Sequence, residues 1–285
     1  MKELREKVFT LANGVKMPQM GFGTAGINDP DYIAGAAQFG YRNFDTATDY
    51  ANEDLVGEGL RRSGIPRKEL FVTTKVWNSK HGYEKTLKAF DFSLNALGVD
   101  YIDLYLIHWP CPDFNLYVDT WKAMEQLYKD GKIRAIGVAN FYKEWLEDII
   151  RECEIVPMVN QLEINPYHQH TDLHAYCREN GILLEAYTPI ARGMVNDDAT
   201  LQEIAKKYDT TPPVITLAFL MQEGIAVIPK TTKKERLESN AQALKIKLDE
   251  ADVVSIRGLN EERIVTGEDP YLFHVLTDRE RPIGM

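Results

Sequence analysis

Apolar and polar residues alternate through positions 8–17 on either side of Asn13-Gly14. Alternation of period two about an Asn-Gly pair predicts a β-hairpin, because both central residues of the tightest hairpin turn need positive φ. Beyond it the chain changes to short apolar runs separated by longer stretches of mixed character. The runs occupy 20–24, 41–45, 70–74, 101–107, 133–138, 157–163, 181–187 and 225–229, and each reads as a strand. Between them, 53–60, 120–127 and 201–208 carry apolar residues at helical spacing. Strand followed by helix, eight times without a long linker or a break in composition, predicts one domain over 1–285. The expected fold is α/β, a (β/α)8 TIM barrel with an N-terminal β-hairpin. The competing fold is an open doubly wound sheet, whose phosphate-binding signature is matched in letters by Gly21, Gly23 and Gly26. No helix follows that match directly, and the chain runs instead into Ile27-Asn-Asp-Pro30. The barrel is therefore the better account.

Charge and composition narrow the function classes. A net charge of −10 argues against nucleic-acid partners, which need a basic face, but leaves room for one locally bound phosphate. No stretch approaches the roughly 20 apolar residues of a membrane span, and residues 1–7 precede no apolar leader segment. Cys111, Cys153 and Cys177 are odd in number and lack zinc-site spacing, so they read as reduced thiols of a cytoplasmic protein with no metal centre.

The barrel pattern gathers four chemically distinct residues on one rim. Asp45, Lys75 and His108 close the second, third and fourth strands, and Tyr50 lies in the loop after the second. Barrel active sites are built at the carboxyl ends of the strands. An ammonium about 4 Å from a phenol stabilises the phenolate by up to about 4 kcal/mol at an effective dielectric near 20, so Lys75 is expected to lower the pKa of Tyr50. Asp45 would keep Lys75 charged, and His108 could orient a carbonyl oxygen. Taken singly, each of these residues is more simply explained as a structural pair or as packing; the joint pattern points to acid–base work on a carbonyl.

The segments 43–53, 74–77, 97–110, 137–141, 160–166 and 228–231, in that order, resemble the aldo-keto reductase superfamily over essentially the whole chain. The resemblance implies that Asp45, Tyr50, Lys75 and His108 are the catalytic tetrad, with Tyr50 as the acid. It implies that Asn140 and Gln161 hold a nicotinamide carboxamide, that Tyr187 stacks on the nicotinamide ring, and that Gly23, Thr24 and Thr231 also belong to the cofactor site. Lys230, Arg236 and Asn240 match the family's adenosine-phosphate contacts. In physical terms, Thr232 and Glu235 have capping-box spacing, and a helix start after the last barrel strand is a common phosphate site. Lys230, Lys233 and Arg236 add positive charge there, which favours NADPH; Ser239, where the family often has Glu, leaves NADH open. Ala139 replaces a frequent Ser, and Ala25 a frequent Trp.

Trp77 and Trp109 are expected to wall the substrate pocket, with Asp49 pointing an acid at the substrate. Such an acid suits sugar-like or small polar carbonyls and repels carboxylates. The short stretch 111–117 and the tail from 268 onward would leave an open site, with Tyr271, Phe273 and His274 as further candidate contacts. The partner is then a small-molecule carbonyl, and the chain is expected to act as a monomer. The alternatives are a cofactor-binding sensor barrel with little turnover and an unrelated barrel hydrolase or isomerase. The second lacks both a metal triad and a nucleophile paired with a base.

Overall fold

The computed structural model describes residues 2–277. After a short helix, Glu3–Glu6, the chain forms the hairpin β1 (Val8–Thr10) and β2 (Lys16–Pro18), in register Val8↔Pro18 and Thr10↔Lys16. Its turn differs from the tight Asn-Gly turn expected. The Gly14 amide donates to the Leu11 carbonyl, the Leu11 amide to that of Val15, and among the turn residues only Gly14 has positive φ. A three-residue connection with Gly in the left-handed position is the next commonest hairpin solution. Asn13 is thereby freed to donate from its side chain to the Arg134 carbonyl, which fastens the hairpin across the amino ends of the barrel strands.

Eight parallel strands follow: β3 (Phe22–Gly23), β4 (Asn43–Asp45), β5 (Phe71–Val76), β6 (Ile102–Ile107), β7 (Ile133–Ala139), β8 (Val159–Glu163), β9 (Leu183–Tyr187) and β10 (Ala226–Val227). Each pairs with the next in sequence, and the ring closes where Met20 bridges Val227. All eight fall within or overlap the apolar runs of the sequence, although β3 and β10 are only two residues long. Every residue of β4, β5, β6 and β8 is buried, because one face fills the barrel and the other meets the helices. Side chains alternate between those faces. Asn43, Asp45, Lys75, Gln161 and Glu185 turn inward and are joined by hydrogen bonds, whereas Thr74 turns outward to Glu53 on the helix Glu53–Arg62.

The helices start and stop on recognisable residues. Asp29 caps Pro30–Phe39 by accepting from the Asp31 amide, and Asp198 caps Ala199–Lys207 through the Leu201 amide. Gly98 ends Tyr83–Leu97 in a left-handed conformation. No helix among the described residues is long and apolar enough to cross a membrane.

Helices of neighbouring units touch at Gly57, where an added Cβ would lie 2.1 Å from the Leu97 carbonyl oxygen. Gly35, within Pro30–Phe39, has open space around its missing Cβ. Gly57→Ala is expected to lower unfolding stability in urea by about 1–3 kcal/mol through overpacking. Gly35→Ala should instead be neutral or stabilising by up to about 1 kcal/mol, since helical glycine is entropically costly. Equal midpoints for the two variants would contradict the close helix approach.

Candidate active site

The carboxyl ends of the strands open into an elongated cavity of about 840 Å3. At its inner end, Lys75 and Asp45 are fully buried and joined at 2.6 Å. Lys75 Nζ also donates to the Thr46 carbonyl at 3.0 Å and to the Tyr50 hydroxyl at 3.3 Å. β5 runs on through Val76, so Lys75 lies inside the strand, one pleat below the rim, and acts on the cavity only through Tyr50. Tyr50 arrives from the turn Thr48–Tyr50, and its ring meets His108 edge-on with centroids 5.8 Å apart. Thus all four rim residues meet at one point, with His108 held between Tyr50 and Trp77.

The electrostatics differ from the sequence expectation in one respect. Burial raises the Tyr50 pKa above its ordinary value; Lys75 opposes this without overcoming it, and Asp45 reinforces it. Tyr50 is therefore a phenol at neutral pH. For Lys75, burial favours the neutral amine, but Asp45 and Tyr50 outweigh it and hold the ammonium above its usual range.

Along the cavity, Asn140 donates to the His108 carbonyl at 2.9 Å and accepts from the Tyr187 hydroxyl at 2.8 Å. One donor hydrogen and one lone pair of its amide remain for a ligand. Gln161 Nε2 is engaged by Asp45 at 2.9 Å and Glu185 at 2.7 Å, so its carbonyl oxygen is the atom left to face the cavity. Tyr187, half-buried, offers a ring on the wall. Toward the outer end lie Gly23, Ala25, Lys230, Arg236, Ser239 and Asn240. A Cβ on Gly23 would stand 3.0 Å from the Ile228 carbonyl oxygen, so glycine eases this close approach of β3 to the segment after β10.

Two expected cofactor residues do not reach the cavity. Thr24 is fully buried and donates to the Asp45 carbonyl at 2.8 Å, which steadies the strand end. Thr231 accepts from the Lys233 amide at 3.1 Å. The capping box is absent as well: the helix begins at Lys234 with Lys233 as its cap residue and no side-chain cap, because Thr231 rather than Thr232 supplies the local oxygen. Lys230 and Arg236 nevertheless face the cavity, both exposed and cationic.

Three features escaped the sequence. The loop after β9 bends through left-handed residues at Thr188, Ala191, Arg192 and Gly193, bringing Ile190, Arg192 and Asn196 to the cavity; Pro189 and Gly193 just beyond a strand were the available signal. Glu163 accepts from the Val265 and Thr266 amides and from the Thr266 hydroxyl, which fastens the late segment bearing Thr266 and Glu268 to the wall. Glu185 lies wholly inside the barrel.

The substrate end is aromatic. Trp77, Trp109 and Cys111 form a cluster apart from the main core, and Phe273 stacks on Trp109 at 3.9 Å and 15°. Asp49, 4% exposed, lines the cavity beside Tyr50. Of the tail candidates, Phe273 joins the wall, whereas Tyr271 is exposed and bonds Glu144, and His274 lies near Asp113. Burial pushes the Cys111 thiol up to about 12, with Asp113 adding to the effect, so it is an inert part of the wall. His168, His170 and Glu262 bring their ligand atoms within 4.8 Å of one another, the two imidazole rings tilted by 32° with centroids 3.9 Å apart.

The model of the Aldo/keto reductase family matches residues 19–261. The glyoxal reductase of Bacillus subtilis is 44% identical over 268 residues, covering 92% of this chain and 96% of its own. The solved structure of MGS-M4, an aldo-keto reductase from a Medee basin deep-sea metagenome, superposes with a TM-score of 0.88 at 42% identity, covering 92% of this chain and 98% of that one. A mutant of Gox0644 solved in complex with NADPH gives a TM-score of 0.87 at 37% identity, covering 93% and 98%.

Proposed function

The chain belongs to the aldo/keto reductase family, and on that premise we propose that it reduces aldehydes and ketones to alcohols with NADPH, Tyr50 giving the proton. The observation that carries this is the contact of Lys75 with both Asp45 and Tyr50 at the inner end of a cavity whose outer end carries Arg236. NADPH, when bound, supplies the hydride. The residues present suit such a dinucleotide: a ring on the wall at Tyr187, amide groups at Asn140 and Gln161, the glycine approach at Gly23, and cations at Lys230 and Arg236.

The proton step follows from the electrostatics. Hydride arrival builds negative charge on the carbonyl oxygen, a far stronger base than a phenolate. Tyr50 is protonated at neutral pH and so has a proton to give, and Lys75 stands 3.3 Å away to stabilise the phenolate that results. Asp45 keeps Lys75 charged and in place, and His108 directs the carbonyl oxygen toward Tyr50. A sensor barrel with little turnover is not favoured, because all four residues keep these contacts.

For the substrate, an acid at Asp49 beside an aromatic wall of Trp77, Trp109 and Phe273 supports small polar or sugar-like carbonyls. The named activity of the Bacillus subtilis relative, on glyoxal, lies in the same class. The rim residues and the cavity lining all come from one chain, which supports action as a monomer. The three unpaired thiols, Cys111, Cys153 and Cys177, support a reducing compartment and hence the cytoplasm.

Tyr50→Phe is expected to cut NADPH-dependent reduction by at least about 100-fold, with NADPH still quenching protein fluorescence. Reduction at the wild-type rate would sink the assignment of the acid. Arg236→Ala should weaken NADPH binding about 10- to 100-fold and NADH binding little, as expected for a lost charge-assisted bond to a phosphate. NADPH affinity equal to wild type would remove Arg236 from the phosphate site. Asp49→Ala should lower turnover of aldoses relative to plain aldehydes by about tenfold; an unchanged ranking would exclude Asp49 from substrate selection.

A further inference from the structure

Inside the barrel, one cation faces two acids. Lys75 is paired with Asp45 at 2.6 Å, whereas Glu185, equally buried on β9, has no cationic partner within bonding distance among the described residues. The two carboxylates share one donor: Gln161 Nε2 gives one hydrogen to Asp45 Oδ2 at 2.9 Å and the other to Glu185 Oε2 at 2.7 Å. The remaining Glu185 oxygen, Oε1, has only a long 3.4 Å contact from Asn43 Nδ2. The Oδ1 of that same amide is buried without a partner, so turning the amide over would give a Glu185 hydroxyl an acceptor. Two ionised acids against one ammonium would leave a net negative charge in the buried interior, and such sites take up a proton instead.

We propose that Glu185 is a positioning residue for the reduction: a buried acid that aligns Asp45 on Lys75 through Gln161 and adds a negative charge behind the Lys75–Tyr50 pair when it ionises. This rests on the reductase function proposed above. The titratable groups acting on Glu185 are Asp45 from β4 and Lys75 from β5, while its neighbours Asn43, Gln161 and, across the β10 pairing, Ala226 are neutral. Burial, then Asp45, raises the Glu185 carboxyl to about 7, against which Gln161 and Lys75 pull only partly.

The sign of the effect follows. Below about pH 7 Glu185 is neutral and the interior charges balance. Above it, a new negative charge disfavours the Tyr50 phenolate, so Tyr50 keeps its proton to higher pH than it would beside a neutral residue. Glu185→Gln retains the shape but never ionises. The alkaline limb of its kcat profile for NADPH-dependent reduction should therefore lie about one pH unit below that of wild type, the order produced by a unit charge at an effective dielectric near 20.

A readout independent of turnover accompanies this one. With glutamate labelled by 13C at the side-chain carboxyl, wild type should show a resonance titrating near neutral pH that is missing from Glu185→Gln. A Glu185 carboxyl titrating in the ordinary carboxylate range overturns the proposal, and so does a pH profile unmoved by Glu185→Gln. A wild-type enzyme that reduces no member of a carbonyl panel fails the reductase function itself and takes the positioning role with it. The carboxyl titration tells that failure apart from a misplaced proton.

Discussion

The buried pair of Lys75 and Asp45 is the constraint around which the site is arranged. An ammonium inside a barrel is tolerated only with a partner close by and its remaining hydrogens bonded, and the three acceptors found are Asp45, the Thr46 carbonyl and the Tyr50 hydroxyl. Those three come from the end of β4 and the loop after it, so satisfying one cation fixes the position of the acid that faces the cavity. Thr24 donates to the Asp45 carbonyl from the neighbouring strand, and Asn52 donates to the carbonyls of Thr24 and Ile27. The loop that presents Tyr50 is thus bonded from behind rather than left to surface packing. Burial keeps the phenol protonated, while Asp45 and Tyr50 keep the ammonium charged against the cost of its burial, which suits a group that must give up a proton only when negative charge forms in front of it.

Why the sequence discloses some of this and not the rest is a matter of range. The barrel was legible because a strand buried on both faces must be apolar nearly throughout, and because the pattern repeats; β5 and β6 show this most clearly. The rim residues were legible because Asp45, Lys75 and His108 interrupt or close such runs, where a polar side chain needs a reason. Local turn chemistry was less so. Asn13-Gly14 marked the hairpin but not its turn, in which Asn13 bonds to Arg134, distant in sequence. Thr232 and Glu235 have the spacing of a capping box, yet Thr231 takes the local amide. Glu185 gave no signal. It differs from an outward-facing strand acid only in its pleat, and its partners Gln161 and Asn43 lie on other strands.

The two halves of the cavity are built by different means. The inner half rests on strand residues, whose inward direction is set by the pleat and whose contacts are buried. The outer half rests on loops after β9 and β10, where Thr188, Ala191 and Arg192 adopt left-handed conformations and the cations are exposed. That division fits the chemistry. Proton transfer needs fixed geometry within a few tenths of an ångström, whereas phosphate is recognised by charge and tolerates mobile arginine and lysine. Sequence inference followed the same line: the inner residues all meet, while two of the outer ones, Thr24 and Thr231, bond to nearby backbone and do not line the cavity.

The ends of the barrel decide from which side a substrate enters. At the amino ends of the strands the hairpin lies across the opening, with Asn13 bonded to β7 and the following residues pairing with β10. At the carboxyl ends the late segment is strapped on rather than plugged in. Trp77 Nε1 donates to the Thr277 carbonyl, Asn78 to that of Val275, and Phe273 lies flat on Trp109. Glu163 secures the earlier part of the same segment through two amides and a hydroxyl. The tail is therefore a wall made of a few bonds to β8 and to the loops after β5 and β6. Its aromatic face can be replaced without disturbing Lys75 or Asp45, which lie one pleat deeper. A site of this design can change the carbonyl it accepts by changing its wall while Tyr50, Lys75 and Asp45 stay as they are.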